Sequence, residues 1–311
     1  MPVCPAKTFP PGVLTTRHAC GTIFREVSSG NSTPNPSAAD EPRRGQIPEI
    51  TTKPVPEGMS AAPVPIPPGV TFTVSARGKE TWVSILRFIA QEFARIPLSQ
   101  IESVFGFVEP TTLYGGRTFV APELSPQDVR ALHDCCIGVR LPLSNHHVER
   151  KEYEDAIPLL RRYHSKGNSV ITFSDDLARW IRADFPLFEI EASVIKDINT
   201  IEKLEKALET YDTAVLPMRL NLDKAFLERI RDRKKVTLFA NAGCALTCPA
   251  KVCYGSISKA NKFAGGKPAC SFGKVPRDLY GMLNFDLVSL AGMGFTRFKL
   301  LRMREHGLTG Y

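Results

Sequence analysis

No apolar run in this 311-residue chain reaches the roughly 20 residues that span a bilayer, so no membrane span is expected. The first residues, MPVCPAKTFPPGVLTTRHAC, lack a basic head followed by an apolar core. That argues against a secretory leader and makes a cytoplasmic, reducing compartment the expectation. No G-x-G-x-x-G follows the first apolar run, which speaks against a dinucleotide-binding sheet. There is no H-E-x-x-H run and no readable Ser/His/Asp arrangement, so hydrolysis has no obvious machinery. Basic and aromatic residues do not interleave as they do in RNA-binding modules. Paired C-x2-C knuckles, which structural zinc prefers, are missing too.

What is present begins with a composition of 43% hydrophobic residues, ordinary for a chain that builds a core. The net charge of +8 suits an anionic partner or RNA, although a mild excess serves solubility as often. Of the 25 prolines, 14 fall in residues 1–68 among Ser, Thr and Gly. Such a segment buries too little apolar surface to offset its ordering entropy, so residues 1–68 are expected to be a disordered tail. Met59, just ahead of the folded part, is a possible alternative start.

From residue 69 to 311 the pattern changes. Short apolar, β-branched runs alternate with amphipathic stretches. Strands are expected at 70–75, 101–108, 137–143, 169–173, 187–192, 213–216, 236–240 and 297–301. Trp82, Ile85, Leu86, Ile89 and Phe93 recur at helical spacing, and Ser125-Pro126 has the form of a helix start. Eight strands alternating with helices over this length predict a (β/α)8 TIM-like barrel, with a doubly wound sheet as the alternative.

The most unusual stretch runs from Val236 to Cys270. It opens as an apolar strand and then delivers Cys244, Cys248, Cys253 and Cys270, half of the chain's eight cysteines, as C-x3-C-P-x3-C-x16-C. Four thiolates select zinc or an iron–sulfur cluster. Irregular spacing is better tolerated by a 4Fe-4S cluster, and zinc is the alternative cofactor. Free or buried thiols without metal are the bland alternative. The stretch directly follows the seventh strand, so in a barrel it falls on the C-terminal face, where barrel enzymes place their chemistry. Polar groups also follow other strands. Among them Glu191 and Arg219 are the expected catalytic pocket residues. Glu189 and Glu191 share one strand face and need a charged partner there. Cys135 and Cys136 are adjacent and expected in the core.

Four segments carry a family resemblance. EIEASVIKDIN at 189–199, TAVLPMRLNLD at 213–223, VTLFANAGCALTC at 236–248 and FTRFKLLRMRE at 295–305 resemble the later strands of the collagenase-like U-type peptidases, family thirty-two. The family's signature histidine is replaced here by Ala240-Asn241-Ala242, which weakens the peptidase reading. The resemblance is nearer to the branch that includes UbiU and UbiV. For that branch it implies a 4Fe-4S cluster on four cysteines, oxygen-independent hydroxylation of a small aromatic or RNA substrate, and a heteromeric partner of the same family. Two alternatives remain open. One is a non-catalytic barrel with a structural Cys4 metal site, acting as a complex subunit; the other is a peptidase.

Overall fold

The computed structural model describes residues 55–248, 250–263, 267–271 and 282–303. The Pro-rich stretch 1–54 lies outside the described residues.

The first element is a two-residue strand, β1 (Met59–Ser60). The main sheet follows with β2 (Thr71–Ser75), β3 (Ile101–Phe105), β4 (Gly138–Leu143), β5 (Ser169–Thr172), β6 (Glu189–Ala192), β7 (Thr213–Val215) and β8 (Val236–Phe239). After these come β9 (Asn241–Ala242), β10 (Leu283–Phe285) and β11 (Arg297–Leu300). Strands β2 to β8 pair in parallel in sequence order, and β11 pairs with both β8 and β2, so the sheet closes as an eight-stranded barrel. Each expected strand is a barrel strand, and the TIM-like fold stands.

The helices are α1 (Ile85–Glu92), α2 (Pro126–Asp134), α3 (Arg150–Tyr163), α4 (Asp175–Asp184), α5 (Ile201–Leu208), α6 (Lys224–Glu228), α7 (Cys253–Lys262) and α8 (Leu287–Gly292). Their starts follow from local chemistry. Ser125 and Asp128 form a reciprocal capping box at α2. Asp128 also accepts from Ile85 N at 2.8 Å and pairs with Lys79 at 3.1 Å, which fixes the start of α1. Ser174 caps α4 and Thr200 caps α5, so Ser174 serves the helix and not a site. Trp82 precedes α1 and is exposed rather than part of an apolar helix face.

The two faces of the barrel strands differ sharply. Phe72, Val74, Val104, Leu141, Ile190 and Phe298 are buried on the face that packs against the helices. The other face carries Thr73, Ser103, Arg140, Ser169, Glu191, Thr237 and Lys299, all buried as well. Its orientation is set by long-range contacts. Arg140 on β4 reaches Glu191 on β6 at 2.6 Å, Thr237 on β8 donates to Glu191 at 2.6 Å, and Arg297 on β11 pairs with Glu189 on β6. Strands β11 and β6 are not neighbours in the sheet, so that contact crosses the barrel interior. TIM barrels usually fill this space with branched aliphatic side chains. Here a charged, hydroxyl-rich layer fills it.

The expected tail boundary at residue 68 needs adjustment. Met59 and Ser60 pair antiparallel with Phe285 and Asn284, and β9 completes a small three-stranded sheet. Pro67 O accepts from Gln100 Nε2 at 2.9 Å, and Val64 and Ile66 pack on the core. Segment 55–68 therefore belongs with the barrel. A chain starting at Met59 forfeits the bond from Asp286 N to Gly58 O and is expected to lose no more than about 1 kcal/mol. A chain starting at Gly69 is expected to lose about 2–4 kcal/mol, from two apolar side chains and several backbone contacts. Urea unfolding of the two truncated chains measures the difference. Equal midpoints would show that segment 59–68 adds nothing.

Candidate functional site

The C-terminal ends of the barrel strands open into a cavity of about 350 Å³. Strand-end residues form its floor and lower walls, with Ser75, Phe105, Ile171, Phe239 and Lys299 among them. Four cysteines from the segment after β8 line the same cavity: Cys244, Cys248, Cys253 and Cys270.

Local structure explains how they arrive there. After β8 the chain leaves the barrel through β9 and turns, with Cys248 N donating to Cys244 O at 3.2 Å. Both thiols are buried. Cys253 is the first residue of α7. That helix is held to the barrel mouth by hydrogen bonds and ion pairs with the segments that follow β3 and β4. Asn145, after β4, donates to Ser258 O at 2.9 Å. Asn261 accepts from Phe119 N at 2.9 Å and donates to Arg117 O at 2.9 Å. Lys262 pairs with Glu149 at 2.8 Å and Glu152 at 3.1 Å. Cys270 is returned to the cavity by its neighbours. Ala269 N donates to Ser256 Oγ on α7 at 2.8 Å, and Ser271 Oγ lies 2.9 Å from Cys248 Sγ.

The Cys253 thiol feels the other three. The Cys253 thiol is pushed up to about 11, first by burial and then by Cys244, Cys270 and Cys248. The charged form of one thiol is disfavoured by negative charge on the others. Among the described residues, however, no group of three or more His, Cys, Asp or Glu side chains forms a site that could hold a metal ion. All four thiols belong to residues that line the one cavity.

The other two expected site residues are elsewhere. Glu191 is 0% exposed and sits below the cavity, bonded to Arg140 and Thr237. It stabilises the charged interior layer and does not line the cavity. Arg219 lies at the surface, where it pairs with Asp197 at 3.1 Å, and borders only a shallow depression beside the mouth. The reason is the same for both: each carboxylate or guanidinium found its counter-charge away from the opening. Cys136 is exposed at positive φ rather than buried in the core, and Cys135 is half-buried.

Three lining residues were not singled out from the sequence. Lys299 is 7% exposed, and its amine lies 4.1 Å from the centroid of the Phe105 ring. Its pKa falls to about 8, first because of burial; Glu191 opposes the fall, while Arg140 and Arg117 add to it. Arg117 is 5% exposed and pairs with Glu123. It is carried to the mouth by a loop in which Gly115 presses on Ser144 O, where a Cβ would meet the oxygen at 2.2 Å. Phe105 contacts both cations. Alternation along TFTVS and RFKL was the available signal for inward-facing polar residues, but it does not say that the inside of a barrel receives them.

No helix among the described residues is long and apolar enough to cross a membrane. Comparison with family models and with curated proteins finds no match. Among solved structures, the chain is similar to one described as the U32 peptidase Mk0906, with a TM-score of 0.52 and 13% identity. The likeness covers 78% of this chain and 98% of that one. At so low an identity it is a likeness of fold: this chain has the barrel architecture seen in that U32 peptidase.

Proposed function

We propose that Cys244, Cys248, Cys253 and Cys270 hold a 4Fe-4S cluster at the barrel mouth. On this reading the chain is a redox relative of the U-type peptidases. It would support oxygen-independent hydroxylation, or a related redox modification, of a small aromatic or RNA substrate. The observation that carries the reading is that all four thiols line one cavity.

Soft thiolate donors suit either zinc or an iron–sulfur centre. Zinc prefers paired C-x2-C knuckles, and the spacing here is C-x3-C-P-x3-C-x16-C. A cluster distributes four thiolates over several irons, which fits thiols ranged around a space. Binding also removes the mutual penalty on Cys253, because a coordinated thiol is deprotonated by the metal's own charge. A bound cluster would supply one-electron chemistry. The chain's own residues would do the rest: Phe105, Ile171 and Phe239 offer an apolar bed for a ring, and Arg77, Arg117 and Lys251 favour an anionic group.

The neighbour's description as a peptidase raises the hydrolase reading. His146 does meet Ser258, at 2.8 Å, but Ser258 is fully buried, and no histidine lines the cavity among the described residues. A purely structural Cys4 site is less favoured, because such a site is closed whereas these thiols border open space.

Anaerobic purification tests the proposal. The protein is expected to be brown, with a broad shoulder near ~400 nm and about four irons and four sulfides per chain. Colourless protein with one zinc per chain would support the structural reading instead. A metal-free chain that cannot be reconstituted would overturn both.

A further inference from the structure

Among the described residues, Lys299 is the buried lysine for which no hydrogen bond or ion pair is seen. Lys79 is equally buried and meets Asp128 at 3.1 Å. Lys196 meets Asp175 at 2.7 Å, and Lys262 meets two glutamates. The Lys299 amine has no hydrogen bond and no ion pair among the described residues; its contact is the face of Phe105. Glu191 contributes only a through-space attraction, since its oxygens are taken by Arg140, Thr237 and Thr213. The amine nevertheless borders the cavity, at the end of the last barrel strand.

A buried lysine with an acceptor is structural. One held in an apolar pocket beside other cations, and facing open space, is the arrangement that makes an amine nucleophilic. Both conditions are met: Phe105, Ile171, Phe239 and Leu301 line the space, and Arg117 and Arg140 act on the amine. Arg117, which also lines the space, keeps a positive charge near the amine.

We propose that Lys299 is an imine-forming amine, and that the cavity takes a small aldehyde or ketone on it. The neutral Nζ adds to the carbonyl carbon, and the carbonyl π pair moves to oxygen. That oxygen gains the proton the nitrogen loses, giving a carbinolamine. The carbinolamine then loses its hydroxyl and the remaining N–H proton as one water, which leaves a C=N bond. No oxidant or reductant is consumed. The positive charge of Arg117, on the same cavity wall, favours the oxygen while it carries charge. Strand β11 fixes the amine, because Lys299 O accepts from Ala240 N at 2.8 Å. A lysine titrating near 8 is neutral at pH 7 about two hundred times more often than one at the ordinary 10.4. This site does not depend on a metal at the cysteines.

Reductive trapping tests the proposal directly on the full-length chain. The protein is incubated at pH 7 with benzaldehyde, and in parallel with pyruvate, in the presence of cyanoborohydride. Adducts are mapped by peptide mass spectrometry. With at least one probe, the Lys299 peptide is expected to carry the reduced adduct about tenfold or more ahead of any other lysine, a conservative allowance on its larger neutral fraction. Lys251 is the internal comparison: it lines the same cavity but is paired with Asp197. Lys299→Arg is expected to abolish that adduct and leave the others unchanged. Labelling of Lys299 no faster than Lys251 with both probes overturns the proposal, as does an adduct confined to surface lysines. The comparison is made on the unaltered chain, so it does not depend on how the variant folds.

Discussion

Glu191→Gln is expected to destabilise the barrel by about 3–5 kcal/mol, the usual cost of removing one partner from a buried ion pair. Glutamine is nearly the same size and can still accept from Thr237, so the loss is not one of packing. It leaves the Arg140 guanidinium, 1% exposed, without its nearest counter-charge. Urea unfolding should show a lower midpoint with an unchanged slope. The pH dependence separates the electrostatic part. Burial alone would raise the Glu191 carboxyl, but Arg140, Lys299 and the Thr237 hydroxyl together hold it below the ordinary value. A lowered folded value means that the stabilisation is complete above the unfolded value, about 4.3, and is lost as pH falls through the folded value. The parent should therefore lose stability on that acid limb, and Glu191→Gln should lack this component. Replacing both partners, Glu191→Leu with Arg140→Met, should cost less than the single change, because the Arg140 charge goes with its partner and only Lys299 loses an attraction. A single variant as stable as the parent would mean that the interior layer carries no net electrostatic stability.

The second large effect is expected at the cysteines. Cys244→Ala, Cys248→Ala, Cys253→Ala and Cys270→Ala should each lose most of the bound iron and sulfide, because a cluster held by three thiolates exposes an iron that exchanges or dissociates. Cys135→Ser, at the C-terminal end of α2 and outside the cavity lining, should retain the metal. Cys270 is the most informative position. It is half-buried, and its neighbours are tied to Ser256 and Cys248, so its removal leaves α7 anchored through Asn261 and Lys262. Iron content and the visible spectrum decide the matter. A full complement in Cys270→Ala would place the fourth ligand elsewhere. Unchanged metal in all four variants would reduce the segment to a loop with incidental thiols.

Much of the architecture was legible from local pattern. TFTVS, EIEA and RFKL alternate with period two, and the helical stretches between them repeat their apolar residues at three and four. The clustering of four cysteines after the seventh strand was also plain, and a barrel necessarily brings that point to its C-terminal face. Less could be seen where the partner lies far along the chain. The strand β1 is two residues long and exists because β10, more than 200 residues later, covers it. Helix α7 follows a glycine- and lysine-rich course with a weakly amphipathic sequence, and it is held by Asn145, Asn261 and Lys262 rather than by an apolar face.

The sequence by itself determined where the eight barrel strands and most helices lie, that a (β/α)8 barrel is the first expectation over a doubly wound sheet, and that four thiols follow the seventh strand. Each follows from periodicity and order, which are local properties. What only the tertiary structure decided is the fate of the polar strand faces. Alternation says that one face of each strand is polar, and water is the usual occupant of such a face. Closure of β11 onto β2 and β8 turned that face inward. Glu191 then met Arg140 across a skipped strand and left the cavity, while Lys299 came to its floor without an acceptor. The physical reason is that charge pairing inside a closed barrel is settled by distances across its interior, between residues about a hundred positions apart, and no local pattern encodes those distances.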